Sequence, residues 1–338
     1  MPVRVPTQGP GPDWAVAGAN CQNVAMTMAF TLTQLRYFDA VARVEHMTAA
    51  AAQLNVTQST LSSAIAQLER ELGVTLFDRI PRRGLRLTSA GHALLAQSAA
   101  FLEEAELLVS AVREDGAVLT GEITVGIYAP LAPFRAPEIL RRFRALYPEV
   151  SLTFLEGDQG TLQDALLDGA CEVALMYDLG VGSRFSRTVL ERIPPHVIVP
   201  ESHPVVRAGR SSVRLAEFVE EPLILLNLPH TGDYYQGLFK HLGLTPRVGH
   251  LSLGYETVRS FVALGHGYSV LNQWVGHGMT VAGPRVVPLT LEDALPPTET
   301  SLVRLTGNRS TRKAVAFEQL CRKMFREQAA GFQSIPSI

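Results

Sequence analysis

One stretch, from Thr33 to Gly73, restricts this chain more than any other. Leu61, Ile65, Leu68 and Leu72 recur at steps of four, three and four, the spacing of one buried helix face. Thr57 stands ahead of them as an N-cap, and Gly73 follows as a left-handed stop. Upstream, Leu35, Phe38 and Val41 or Ala42 mark another helix. A turn over 44–47 then leads to Thr48, expected to cap a short helix over 49–54, and Asn55 and Val56 make a tight turn. Ala50, Ala51 and Ala52 have side chains small enough for two short helices to approach closely. Two helices joined by about three residues form a helix-turn-helix candidate.

The second helix turns Thr57, Gln58, Ser59, Thr60, Ser62 and Ser63 away from its leucine stripe. Short hydroxyl and amide groups there can reach base edges in a DNA major groove. Beyond it Leu76 and Phe77 read as buried, and 82–84 as a turn between two extended pieces, which makes a wing. Arg79, Arg82, Arg83 and Arg86 fall within residues 79–92 without one acid. A helical hairpin, a serine-rich face or an arginine cluster is common alone. In this order they make one docking surface. The whole-chain charge of -2 and pI of about 6.5 exclude a basic coat, and residues 30–93 carry seven Arg against five acids. DNA affinity must therefore come from local placement and from doubling the site.

These features, in the runs LTQLRYF, AAAAQLNVTQSTLS, QLERELG, LFDR and LTSAG, resemble the N-terminal domain of LysR-type transcriptional regulators. The resemblance implies an α+β multidomain protein. It would have an N-terminal winged helix-turn-helix over 30–88, a long linker helix over 89–115, and a two-lobed, periplasmic-binding-protein-like α/β effector domain. It places residues 57–63 at the start of the recognition helix, and Arg82 and Arg83 in the wing. Ser59 stands where family members commonly have Pro, and Ser63 with Ala64 where a longer polar residue is frequent. A serine lacks the fork of an arginine, so fewer direct base contacts and more readout through DNA shape are expected.

Residues 89–113 carry Leu94, Phe101 and Leu108 at sevenfold spacing, beside Leu95, Leu102 and Val109. So broad a stripe suits pairing with a second copy; the alternative is packing onto the chain's own effector domain. The resemblance favours a dimer, or a tetramer, on palindromic double-stranded DNA, with RNA polymerase as a further partner if the protein activates.

After a hinge over 116–121, short apolar runs alternate with helical ones, arguing for parallel α/β sheets. By resemblance, lobe one comprises about 121–184 and 285–330, and lobe two about 185–284. A crevice at the carboxyl ends of the strands would hold a small-molecule effector of unknown identity. The residues expected there are Tyr128, Ala129, Pro130, Leu131, Asn227, His230, Thr231, Tyr234, Tyr255 and Asn272. Many family members have Ser or Thr where this chain has Ala129 and Pro130, which weakens the case for a carboxylate. Backbone N–H groups near Thr161 and Tyr255 remain as candidate anion seats.

Hydrophobic residues make up 46% of the 338 and charged residues 18%, enough for several packed units. No complete dinucleotide fingerprint, G-x-S-x-G elbow or H-E-x-x-H set occurs, so neither an enzyme nor a metal or other cofactor is expected. Cys21, Cys171 and Cys321 are far apart, which fits a reducing, cytoplasmic setting. No apolar run is long enough for a bilayer. Residues 1–29 read as a disordered extension, with Met26 or Met28 as a natural start.

Overall fold

The computed structural model describes residues 30–80, 84–112, 118–275 and 277–332. The expected extension over 1–29 lies outside them. Three helices open the chain: α1 (Leu32–Val44), α2 (Met47–Gln53) and α3 (Gln58–Leu72). A capping box starts α1, in which the Gln34 N–H donates to Thr31 Oγ1 at 3.1 Å and the Thr31 N–H donates to Gln34 Oε1 at 2.7 Å. Thr48 is not the cap of α2. His46 takes that place, its Nδ1 accepting the Ala49 N–H, so the helix begins two residues earlier than expected. Phe38, Val41, Ala50, Leu61 and Leu68 close one small core. The hairpin β1 (Phe77–Ile80) and β2 (Gly84–Leu87) forms the wing, and α4 (Ser89–Val112) follows. Gly91 of α4 lies so close to β1 that a Cβ there would stand 2.3 Å from the Leu76 carbonyl oxygen.

The remainder is two lobes. Lobe one contains β3 (Gly121–Tyr128), α5 (Ala132–Leu146), β4 (Val150–Gly157), α6 (Gln159–Leu167), β5 (Val173–Tyr177) and β6 (Phe185–Ile193). Lobe two contains β7 (His196–Pro200), α7 (Pro204–Arg207), β8 (Ser212–Val213), β9 (Pro222–Leu226), α8 (Thr231–His241), β10 (Arg247–Ser252), α9 (Tyr255–Ala263), β11 (Ser269–Leu271) and β12 (Val286–Leu291). The chain returns to lobe one for β13 (Thr298–Leu305) and α10 (Arg312–Phe332). Lobe one's sheet has the order β4-β3-β5-β13-β6, and lobe two's β11-β7-β12-β8, with β10-β9 joined through a bridge between Leu223 and Tyr268. Gly267 makes that junction possible: at φ 146° its backbone lies against β9, and a Cβ would stand 1.9 Å from the Pro222 oxygen.

Two expectations change. The sheets are mixed, because β13 runs antiparallel to β5 and β6, and β7 antiparallel to β11 and β12. The lobe boundaries also move. β6 pairs with β13 and so belongs to lobe one, while β12 pairs with β7 and β8 and so belongs to lobe two. The chain therefore crosses between lobes at 194–195 and 292–297, not at 184 and 284. Each crossing carries two consecutive prolines, Pro194–Pro195 and Pro296–Pro297, whose fixed φ stiffens it.

Candidate functional site

The orientation of α3 follows from its own apolar residues. With Leu61, Ile65 and Leu68 buried, Thr57, Gln58, Ser59, Thr60 and Ser63 are exposed and Ser62 half-buried. Thr57 caps the helix by accepting the Thr60 N–H at 3.1 Å, and its hydroxyl also lies 2.9 Å from that of Ser59. The Thr48 hydroxyl donates to the Gln58 amide oxygen at 3.1 Å, joining the first turn of α3 to α2. No acid precedes Glu69 in α3, so its positive end can meet a phosphate without local repulsion.

Glu69 holds the wing: its Oε1 accepts the N–H groups of Leu76 at 2.7 Å and Phe77 at 3.2 Å. On the other strand, the Leu85 N–H donates to the Glu45 carbonyl at 3.0 Å. Arg79 and Arg86 are exposed, but strand alternation puts them on opposite faces of the hairpin, and Arg86 pairs in register with Asp78. Arg82 and Arg83 lie outside the described residues.

The stripe on α4 divides. Thr88 caps the helix, donating its hydroxyl to the Thr75 carbonyl and accepting the Gly91 N–H. Leu95 is buried inside its own chain, touching Gly169 of lobe one, and is not free for a partner. Leu94 and Leu102 are half-buried, whereas Phe101 and Leu108 are exposed; the Val109 side chain lies outside the described residues. Glu103 bonds Lys313 at 3.1 Å, Glu104 bonds Arg309 and Gln97 bonds Asn308, tying α4 to lobe one; Gln97 and Glu104 do so from the same helical face that carries Phe101 and Leu108.

Most of the polar residues expected in the crevice instead hold the lobes together. Tyr128, fully buried on lobe one, shares a 2.7 Å hydrogen bond with Thr231, fully buried on lobe two. Burial pushes the Tyr128 phenol well above its usual pKa. Gln273 donates to the Tyr177 hydroxyl at 3.0 Å across the same seam. Asn272 Nδ2 donates to the Ile193 carbonyl at 2.9 Å and to the Tyr234 hydroxyl at 3.1 Å, and that hydroxyl donates to the Pro296 carbonyl at 3.0 Å. Asn272 and Tyr234 therefore clamp both proline crossings. Leu131 is core. His230, at φ 61°, lays its ring on Gly180, and Asn227 packs its amide oxygen against Gly232.

Beside this seam a cleft of about 750 Å³ opens between the lobes. Ala129, Pro130, Pro133 and Phe134 line it from lobe one. Leu253, Gly254, Tyr255, Glu256, Thr257, Arg259, Val275, His277, Met279, Thr280 and Val281 line it from lobe two. Of the expected effector residues, Ala129, Pro130 and Tyr255 are thus brought together. Phe134 meets Tyr255 edge to face at 5.5 Å between ring centroids. At one expected anion seat the Thr161 N–H already donates to Asp158 Oδ1 at 2.8 Å; at the other, no side chain caps α9, and Glu256 in its first turn bonds Arg259 and the Val281 N–H. Sequence reasoning missed Phe134, Gln273 and Met279, and also Gln159, a fully buried side chain with no hydrogen-bond partner. The paired prolines are the signal that could have located the crossings and the seam beside them.

Cys171 and Cys321 are buried, and burial pushes the Cys171 thiol up to about 12 and the Cys321 thiol higher. Among the described residues no three His, Cys, Asp or Glu side chains are grouped to hold a metal ion, and no helix is long and apolar enough to cross a membrane.

Comparison with known proteins gives a consistent result. Residues 32–92 match the bacterial regulatory helix-turn-helix protein family of lysR type, and residues 116–326 match the LysR substrate binding domain. The chain is 30% identical over 274 residues to YnfL, an uncharacterized HTH-type transcriptional regulator of Escherichia coli, covering 79% of this chain and 90% of that one. It is 27% identical over 241 residues to a hydrogen peroxide-inducible genes activator of Pectobacterium carotovorum, covering 71% and 79%. In structure it is similar to HinK, a LysR family transcriptional regulator from Pseudomonas aeruginosa. There the TM-score is 0.58 and the identity 30%, with 88% of this chain and 98% of that one covered.

Proposed function

The chain belongs to the LysR family of bacterial transcriptional regulators, and from that premise we propose how it works: as a self-associating, effector-responsive, cytoplasmic DNA-binding protein. The exposed polar face of α3, held against a wing by Glu69, carries the proposal. That face enters a major groove, and a dimer would set two such helices about 34 Å apart on a palindromic operator. Phe101 and Leu108 are the exposed apolar residues of α4 that a second copy would cover. Tetramer formation would extend the same pairing, and RNA polymerase becomes a partner where the protein activates.

The effector occupies the cleft lined by Phe134 from lobe one and Tyr255 from lobe two. Its binding changes the relation of the lobes only if it favours one arrangement, and a tenfold preference corresponds to about 1.4 kcal/mol. The clamp of Asn272 and Tyr234 on both crossings is the element such binding would bias. Peroxide sensing, suggested by one relative's name, has less support: Cys171 and Cys321 are buried with raised pKa, opposite to a reactive thiolate.

Genome-wide recovery of bound DNA, followed by anisotropy titration on the recovered fragments, tests this. Palindromic fragments bound by the intact chain are expected. Recovery of random fragments alone would remove sequence-specific regulation from the account.

A further inference from the structure

The inter-lobe cleft has apolar walls and, among the described residues, no unneutralised arginine or lysine. Pro133, Phe134, Val275, Met279 and Val281 are apolar side chains lining it. Arg259 is the one Lys or Arg among the described lining residues, and it is only 4% exposed. One arm of its guanidinium bonds the Glu256 carboxylate, and the other donates to the Met279 carbonyl at 2.8 Å. The second oxygen of Glu256 accepts the Val281 N–H at 2.8 Å, so this ion pair is closed and adds no net charge. The Tyr255 hydroxyl donates to the Gln273 carbonyl, and the Thr280 hydroxyl to the Pro284 carbonyl. At the exposed mouth, His277 Nδ1 accepts the Met279 N–H at 3.2 Å, which leaves its other nitrogen to donate to an oxygen at the ligand's outer end.

A carboxylate entering this cleft would leave water without meeting a free cation, and would approach Glu256. A neutral ring would bury apolar surface on both sides. We infer that the cleft takes an uncharged, mainly apolar ring compound in preference to a carboxylate, an inference that rests on reading this cleft as the effector site.

Two probes of the same shape test it on the full chain: 2-acetylnaphthalene, a neutral ketone, and 2-naphthoate, its carboxylate counterpart. Calorimetry is expected to give at least tenfold tighter binding of the ketone. Met279→Lys, at a position 57% exposed and therefore tolerant of the change, should move the ratio at least tenfold toward naphthoate. Phe134→Ala should weaken the ketone. If naphthoate binds the unaltered chain as tightly or more tightly, and Phe134→Ala weakens it, the ligand class is overturned while the cleft stands. If binding ignores both substitutions, the cleft itself is the wrong site. If neither probe binds, the proposed class is refuted.

Discussion

The face of α3 and the seam between the lobes draw on the same kinds of side chain and use them in opposite ways. Thr57, Gln58, Ser59 and Ser63 stay exposed on a helix that buries Leu61, Ile65 and Leu68. Thr231, Tyr128, Asn272 and Tyr234 are equally polar, yet each is hydrogen-bonded to the opposite lobe or to a crossing between lobes. A polar residue in a sequence announces a hydrogen bond without naming its partner. On a helix the periodicity decides whether that partner is internal, because burial of one face exposes the other. At a strand end no such rule exists, and the nearest element in space takes the bond.

The largest consequence falls on α3. Ser63→Glu puts a carboxylate on an exposed surface, where folding hardly registers it, but against DNA phosphate. Operator affinity at fixed salt should fall 100-fold or more, about 2.7 kcal/mol, while the melting temperature stays within about a degree. A drop in melting temperature with affinity retained would show that this face is internal, like the seam.

The seam should respond in the reverse sense. Thr231→Val leaves the Tyr128 hydroxyl buried without its partner and should lower stability by about 2 kcal/mol, leaving operator affinity nearly unchanged. Tyr128→Phe in that background should recover most of the loss, because both polar groups are then gone. Denaturant unfolding of the two single variants and the double variant reads the coupling. Additive losses would mean that the 2.7 Å bond does not hold the lobes.

Much of the N-terminal domain could be read directly from the sequence, because its contacts are local and its helices carry their own periodicity. The errors there are small: His46 displaced Thr48 as a cap, since its imidazole accepts the Ala49 N–H and the helix starts at Met47. The effector domain yielded its two-lobed plan through resemblance, but not its boundaries. β6 (FSRTVLERI) and β10 (RVGHLS) are not the short apolar runs that mark the other strands. β10 is almost wholly exposed, so it lacks the alternation that marks a half-buried strand. Position at strand ends places Ala129, Pro130 and Tyr255 on the wall of the cleft. It gives no sign of the bonds that Asn272 and Tyr234 make to Ile193 and Pro296, 79 and 62 residues away in sequence.

His196 gives a smaller, pH-dependent handle on the lobe side. It starts β7, lies against Trp274 at 4.8 Å, and burial lowers its pKa to about 4 from the usual 6.5. The unfolded chain therefore binds this proton more readily than the folded one. Stability should be constant above about pH 7 and fall progressively between 6.5 and 4. At pH 5.5 the loss from this group is about 1 kcal/mol relative to pH 7.5. His196→Phe should reduce the difference between those two pH values by that amount in denaturant unfolding. An unchanged difference would mean that His196 is protonated as easily in the folded chain as in the unfolded one.

The wing gives the smallest effect, and one that separates exposed charge from committed charge on the DNA side itself. Arg86 stands across the hairpin from Asp78, so part of its field is offset before DNA arrives. Removing one cation from a duplex phosphate changes the slope of log affinity against log salt by about 0.9. Arg86→Ala alone should reduce the slope by less than that. In a chain already carrying Asp78→Asn, the same substitution should reduce it by nearly the full value. Equal reductions in both backgrounds would show that Asp78 does not restrain Arg86. No reduction in either would show that Arg86 meets no phosphate.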